Sequence, residues 1–201
     1  EIYMGDWSSD VCSSDLLSMA VPQLFGASVV LMDGWDCERA LELIERHRVT
    51  HTHLVPTMMH RLLALPEAVR KRHDLSSFKY VLHGAAPCPA TVKRGMIDWL
   101  GPIVYEYYGA TEGTGTLVDS ATWLARPGTV GRPDTPDHIR ILDEAGQELP
   151  PREAGLIYMK APASGRFNYY KDDSKTDRAY RGGYYTLGDI GYLYGDRKSV
   201  V

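Results

Sequence analysis

The sequence predicts an α/β protein: a parallel sheet flanked by helices, followed by a smaller, mostly antiparallel β subdomain. Three observations predict it. Up to Tyr108, short apolar runs alternate with helix-length amphipathic segments, the pattern of parallel strands joined by crossover helices. After Gly109 the helical periodicity fades, and short strand-like runs are separated by turn residues. Glycine (19 residues) and proline (12 residues) are plentiful enough to punctuate so many turns.

In order along the chain, residues 17–25 read as the tail of a helix and Val29-Val30-Leu31-Met32 as a short buried strand. Asp36 is a good N-cap for a helix to about His47, whose Ala40, Leu41, Leu43 and Ile44 share one face. Residues 50–55 form a second strand stopped by Pro56, and Thr57 opens a helix through Met58, Met59, Leu62 and Leu63. A turn of helix rich in Arg and Lys leads to a third strand, Lys79-Tyr80-Val81-Leu82. An amphipathic helix over 89–100 and a fourth strand over 103–107 complete the first part. Beyond it, 137–149 reads as a hairpin turning at Asp143-Glu144-Ala145-Gly146, with further strands at 155–160 and 184–194. The expected organisation is an α/β subdomain over 17–116 and a β-rich subdomain over 117–195.

Composition narrows the function. With 44% apolar and 24% charged residues, the 201-residue chain has an ordinary globular mixture. A net charge of -4 offers no basic field for nucleic acid or an anionic membrane, and no apolar run reaches membrane-spanning length. Three cysteines without a CxxC pair argue against a disulfide framework or structural zinc and fit a reducing cytoplasm. His47, His51, His53 and His60 cluster in sequence, but the expected helix and strand do not form an HxxxH metal pair. Arg70-Lys71-Arg72-His73 reads as a solvated helix face. The ends look foreign: Ser-Ser-Asp recurs at residues 8–10 and 13–15, resembling translated adapter sequence. Residues 1–16 are therefore expected to be a non-native or disordered segment, and 196–201 a non-native tail.

Ligands of parallel α/β sheets bind beyond the carboxyl ends of strands. The third strand leaves into His83-Gly84-Ala85-Ala86-Pro87-Cys88-Pro89, where small residues let a flat ligand approach the backbone. The fourth leaves into Tyr107-Tyr108-Gly109-Ala110-Thr111-Glu112-Gly113. There an aromatic face suits a base, a hydroxyl suits a phosphate oxygen, and a carboxylate suits Mg2+. Far downstream, Asp189 lies between Gly188 and Ile190-Gly191 and suits the hydroxyls of a ribose. Each segment alone is commonly a plain turn or a helix cap; their joint order points to a nucleotide.

Together they resemble the adenylate-forming superfamily of acyl-CoA synthetases, peptide-synthetase adenylation domains and beetle luciferases. Tyr108-Gly109-Ala110-Thr111-Glu112 matches the signature Tyr-Gly-x-Thr-Glu at each fixed position. His83-Gly84-Ala85-Ala86-Pro87 resembles the adenine-side turn, and Gly188-Asp189 the end of Tyr-x-Thr-Gly-Asp. Val55-Pro56-Thr57, residues 128–133 and Gly155-Leu156-Ile157 are also similar to the family. The resemblance implies that Tyr108 stacks on adenine, with Tyr107 and Gly109 beside it. It implies Thr111 on the α-phosphate, Glu112 on Mg2+, Asp189 on the ribose, and Gly84, Ala85 and Ala86 lining the adenine and acyl sites. The implied reaction is carboxylate plus ATP to acyl-AMP and pyrophosphate, then thioester formation with coenzyme A, for a fatty or aryl acid.

The chain also departs from the family. Leu187 stands where the family has Thr. No Gly/Ser/Thr-rich loop ending in Lys-Gly occurs, nor the C-terminal domain with its lysine, so this polypeptide is expected to have little ligase activity. Asp196-Arg197-Lys198 resembles the hinge entry but stands too close to Leu193. Alternatives are an adenylation enzyme that loads a carrier protein and a non-catalytic nucleotide-binding remnant. A dinucleotide oxidoreductase is disfavoured because Gly109, Gly113 and Gly115 lack G-x-G-x-x-G spacing. Sequence is silent on the acyl group and the oligomeric state.

Overall fold

The computed structural model describes residues 2–4, 19–133, 135, 137–163 and 165–195, without the side chains of 2–4 and 114. Residues 5–18 and 196–201, which carry most of the expected foreign ends, lie outside the described residues. The chain divides into two compact units, 1–106 with 119–127, and 107–118 with 128–201.

The first unit is built on parallel strands in the order β2-β1-β3-β4-β5: β1 (Ile2–Met4), β2 (Val29–Leu31), β3 (His51–Leu54), β4 (Tyr80–His83) and β5 (Val104–Ala110). Helices separate them: α1 (Val21–Leu24), α2 (Cys37–His47), α3 (Pro56–Ala64), α4 (Glu67–Arg70) and α5 (Ala90–Leu100). Asp36 caps α2 as expected, its carboxylate accepting from the Arg39 N–H at 2.7 Å. Ala40, Leu41, Leu43 and Ile44 are all buried, so the apolar face read from the sequence is the packed face. Helix α3 starts one residue earlier than expected, because Pro56 fits the first helical position, where its missing N–H is not needed. Gly95 lets α5 lie close to α3: a Cβ there would stand 3.0 Å from Leu63 Cδ1. Val81 and Val104, opposite one another in register, are wholly buried at the sheet centre.

Helix α6 (Ser120–Ala125), which the sequence reading missed, also belongs to this unit. Asp119 caps it through the Thr122 N–H at 2.7 Å. The Ser120 hydroxyl donates to the Val104 carbonyl and accepts from the Val104 N–H, tying helix to strand.

Residues 107–110 of β5 belong to the second unit and continue through a two-residue turn into β6 (Gly113–Val118). The expected loop at 107–113 is thus mostly strand: only Thr111 and Glu112 form the turn. The second sheet is antiparallel, in the order β7-β8-β10-β9: β7 (Ile139–Leu142), β8 (Gly155–Lys160), β9 (Tyr180–Arg181) and β10 (Tyr184–Gly191). The turn at 143–146 is present, closed by the Gly146 N–H on the Asp143 carbonyl. Ile139, Ile141, Ile157, Met159, Tyr185 and Leu193 form the core beneath this sheet. A short helix, α7 (Asp173–Ala179), precedes β9 and is capped by Asp172. Among the described residues, no helix is long and apolar enough to cross a membrane.

Candidate functional site

In the first unit, β4 runs one residue past the expected end and takes His83 into the strand. Its register partner on β5 is Glu106. His83 is 0% exposed, and neither ring nitrogen has a hydrogen-bond partner among the described residues; Nε2 stands 3.7 Å from Glu106 Oε2. Burial, reinforced by the Lys93 cation, lowers its pKa to about 3, so the ring is neutral near pH 7. Lys93, on the first turn of α5 and also 0% exposed, donates to Glu106 Oε2 at 2.6 Å. Its ammonium lies 5.2 Å from the ring centroid of buried Trp123.

This cluster brackets the predicted adenine-side turn, which leaves β4 at His83 and enters α5 at Ala90. Gly84 is buried, and Ala85 and Ala86 are exposed. Ala85 has φ 64°, a left-handed backbone in a residue other than glycine, a strain that persists where surroundings over-determine it. Cys88 is free and half-buried, its thiol pushed up to about 11 by burial and the Glu106 charge, so it is a poor nucleophile.

In the second unit, two predicted residues 81 positions apart meet. The Tyr108 hydroxyl donates to Asp189 Oδ2 at 2.9 Å. Burial first, then this carboxylate, raises the Tyr108 pKa, so the phenol stays protonated. The Tyr108 ring is half-buried against the core cluster, and Gly115 leaves space beside it: a Cβ there would stand 2.9 Å from Tyr108 Cδ1. Asp189 is exposed, and the reason is local. The β8–β10 register shifts between Thr186 and Ile190, a bulge that re-aims the residues within it. Gly188 has φ 90° there, and its N–H donates to the Thr186 hydroxyl at 3.0 Å. Leu187, standing in place of a family Thr, packs partly buried on the core.

At the β5–β6 turn Thr111 is exposed and Glu112 half-buried. Glu112 Oε1 accepts from the Tyr169 hydroxyl at 2.9 Å, and burial with that carboxylate pushes the Tyr169 pKa up to about 12. Tyr107 and Gly109 are half-buried in the same strand. Mg2+ is a hard cation that is commonly held by one or two carboxylates together with substrate phosphates. A single half-buried carboxylate beside an exposed hydroxyl fits that donor set. Among the described residues, no group of three His, Cys, Asp or Glu side chains is placed to hold a metal without substrate.

Sequence reasoning missed Lys93, Glu106 and Tyr169. Glu106 carried a weak signal, a charge at an inward position of an apolar strand; nothing local marked Tyr169 as the partner of a residue 57 positions away.

A model of the AMP-binding enzyme family matches residues 11–169. Among curated relatives, the vibriobactin-specific 2,3-dihydroxybenzoate-AMP ligase of Vibrio cholerae is 34% identical over 82% of this chain and 30% of that protein. A 2-succinylbenzoate–CoA ligase of Geobacillus is 31% identical over 90% of this chain and 36% of that protein. The o-succinylbenzoate CoA synthetase of Bacillus subtilis, solved in complex with ATP and magnesium ion, superposes with a TM-score of 0.79 at 25% identity, covering 99% of this chain and 40% of that one. The chain thus spans about a third of the length of the curated relatives it matches.

Proposed function

Because the chain belongs to the AMP-binding enzyme family, we propose that it is nucleotide-binding core of an ATP-dependent ligase joining a fatty or aryl carboxylic acid to coenzyme A. In the first step a carboxylate oxygen attacks the α-phosphorus of ATP and pyrophosphate leaves. In the second the thiol sulfur attacks the acyl carbonyl, its proton goes to solvent, and AMP leaves. Neither step needs a protein nucleophile, so the residues act by alignment and charge stabilisation.

In this reading the Tyr108 ring stacks on adenine, and Gly109 beside it leaves room for the base. Gly84, Ala85 and Ala86 contribute backbone on the adenine and acyl sides. Asp189 accepts the ribose hydroxyls with the carboxylate that Tyr108 orients. Thr111 donates to the α-phosphate, and Glu112 supplies the protein oxygen for magnesium. When bound, the metal neutralises charge on the phosphate oxygens.

The observation that carries the reading is the Tyr108–Asp189 hydrogen bond, which supports one aromatic face and one carboxylate serving a single nucleoside. Calorimetry with a hydrolysis-resistant acyl-adenylate mimic tests it. Asp189→Asn is expected to weaken binding about tenfold or more, the cost of losing charge-assisted hydrogen bonds. Equal affinity in Asp189→Asn and the unaltered chain would overturn it.

A second reading concerns the acceptor. The Vibrio relative is named an AMP ligase rather than a CoA ligase, so an acceptor other than coenzyme A is the alternative, and a carrier-bound phosphopantetheine thiol supplies the same chemistry. Thioester formation with each acceptor by the whole protein separates the two. The free, half-buried thiols of Cys37 and Cys88 suit a cytoplasmic setting.

A further inference from the structure

Glu112 is held by a side chain from outside the Tyr-Gly-x-Thr-Glu run. We propose that Tyr169 is a positioning residue for the magnesium–nucleotide site, its hydroxyl fixing Oε1 of Glu112 so that Oε2 is presented to the cation. The inference rests on the reading of Glu112 as the metal's protein ligand and adds a residue to it.

Tyr169 is itself fixed. Its N–H donates to the Thr176 hydroxyl at 2.9 Å, and that hydroxyl, on a buried side chain, donates to the Asp172 carbonyl at 2.9 Å. The Phe167 ring meets the Tyr169 ring edge-on at 5.3 Å, and the Lys175 ammonium lies 4.0 Å from the ring centroid. The chain turns directly after Tyr169, the Asp172 N–H donating to the Tyr169 carbonyl at 3.2 Å, and the two neighbours part there: Tyr170 is 86% exposed, while Tyr169 is half-buried with its hydroxyl on Glu112. A phenol anchored this way carries little residual entropy into the bond it makes.

The chemistry follows from the cation. Magnesium demands near-ideal octahedral geometry and releases its waters reluctantly, so a carboxylate serves it best through one oxygen at a fixed angle. A phenol O–H on the other oxygen blocks bidentate binding and stops the carboxylate rotating. Such supporting hydrogen bonds are commonly worth 10–100-fold in metal affinity. Among the described residues Tyr169 is the hydrogen-bond donor to this carboxylate.

The test is ATP binding by calorimetry to the 201-residue chain across a Mg2+ series, with metal-free AMP binding as a second readout. In Tyr169→Phe, which keeps the ring under Lys175 and against Phe167, the Mg2+ midpoint is expected to rise about tenfold while metal-free AMP affinity holds. Glu112→Gln is expected to lose the Mg2+ dependence. A Tyr169→Phe midpoint within about twofold of the unaltered chain, with Glu112→Gln still losing the dependence, overturns the role of Tyr169 and leaves Glu112 standing. An equal loss of metal-free AMP binding in Tyr169→Phe reduces the contact to scaffolding and also overturns it. Full Mg2+ dependence in Glu112→Gln, or none in the unaltered chain, overturns both.

Discussion

Lys93 and Glu106 form a buried pair that ties α5 to β5. Lys93 is 0% and Glu106 8% exposed, so each charge is tolerable only because the other is 2.6 Å away. Lys93→Met strands Glu106 and is expected to cost about 3–5 kcal/mol, whereas adding Glu106→Met should recover most of it; urea unfolding of both variants checks this. Equal stabilities of the single variant and the unaltered chain would contradict the pairing. His83 adds a pH signature. Its folded pKa of about 3 lies below the value near 6.5 expected of an unfolded chain. On acidification the unfolded chain therefore takes up the proton first. The stability contributed by the neutral ring is full above 6.5 and drains away between 6.5 and about 3, a loss on the order of a few kcal/mol. Glu106, pushed up by burial, works in the opposite sense, so the clean measurement is a comparison. Melting of His83→Leu against pH should lack this part of the acid slope.

At the scale of elements, the β5–β6 hairpin sets Thr111 and Glu112 by its turn, and Gly113 is the residue that permits it. A Cβ at Gly113 would overlap the hydroxyl of Tyr185, which is 1% exposed and has little room to move. Gly113→Ala is expected to cost about 1–3 kcal/mol by overpacking and to weaken Mg2+-dependent nucleotide binding; denaturant melts and calorimetry read the two effects. Helices α2, α3 and α5 were legible in the sequence because each buries apolar residues at helical spacing, and strands β3, β4, β5 and β8 because each is a short run rich in apolar, β-branched or aromatic residues between turn signals. Asp36 was legible as a cap because it precedes the apolar spacing of α2. The second arm of the hairpin was not, since the alternate glycines of Gly113-Thr114-Gly115-Thr116 read as turn residues. What makes it a strand is pairing with β5, a tertiary effect. Helix α7 was overlooked for the opposite reason: its residues are polar and only Thr176 and Ala179 are buried, although Asp172-Asp173 is a legible start signal. Of the candidate site, Tyr108, Glu112 and Asp189 were legible as candidates from their residue types, while their hydrogen bonds, reaching across 81 and 57 positions, were not.

For the molecule as a whole, the chain carries the nucleotide motifs without a Gly/Ser/Thr-rich loop ending in Lys-Gly. The purified 201-residue chain is therefore expected to show no measurable ATP–pyrophosphate exchange while still binding an acyl-adenylate mimic; robust exchange would refute this. That outcome would separate binding from turnover in one polypeptide and let ground-state contacts be measured alone. The irregular ladder around Gly188 has a parallel consequence. Across it β10 advances four positions, from Thr186 to Ile190, while β8 advances two, from Tyr158 to Leu156, so removing two residues would restore a continuous antiparallel pairing and take away the projecting stretch that carries Asp189. Such a shortened protein is expected to melt as cooperatively as its parent and to lose affinity for an acyl-adenylate mimic, which thermal melts and calorimetry would read.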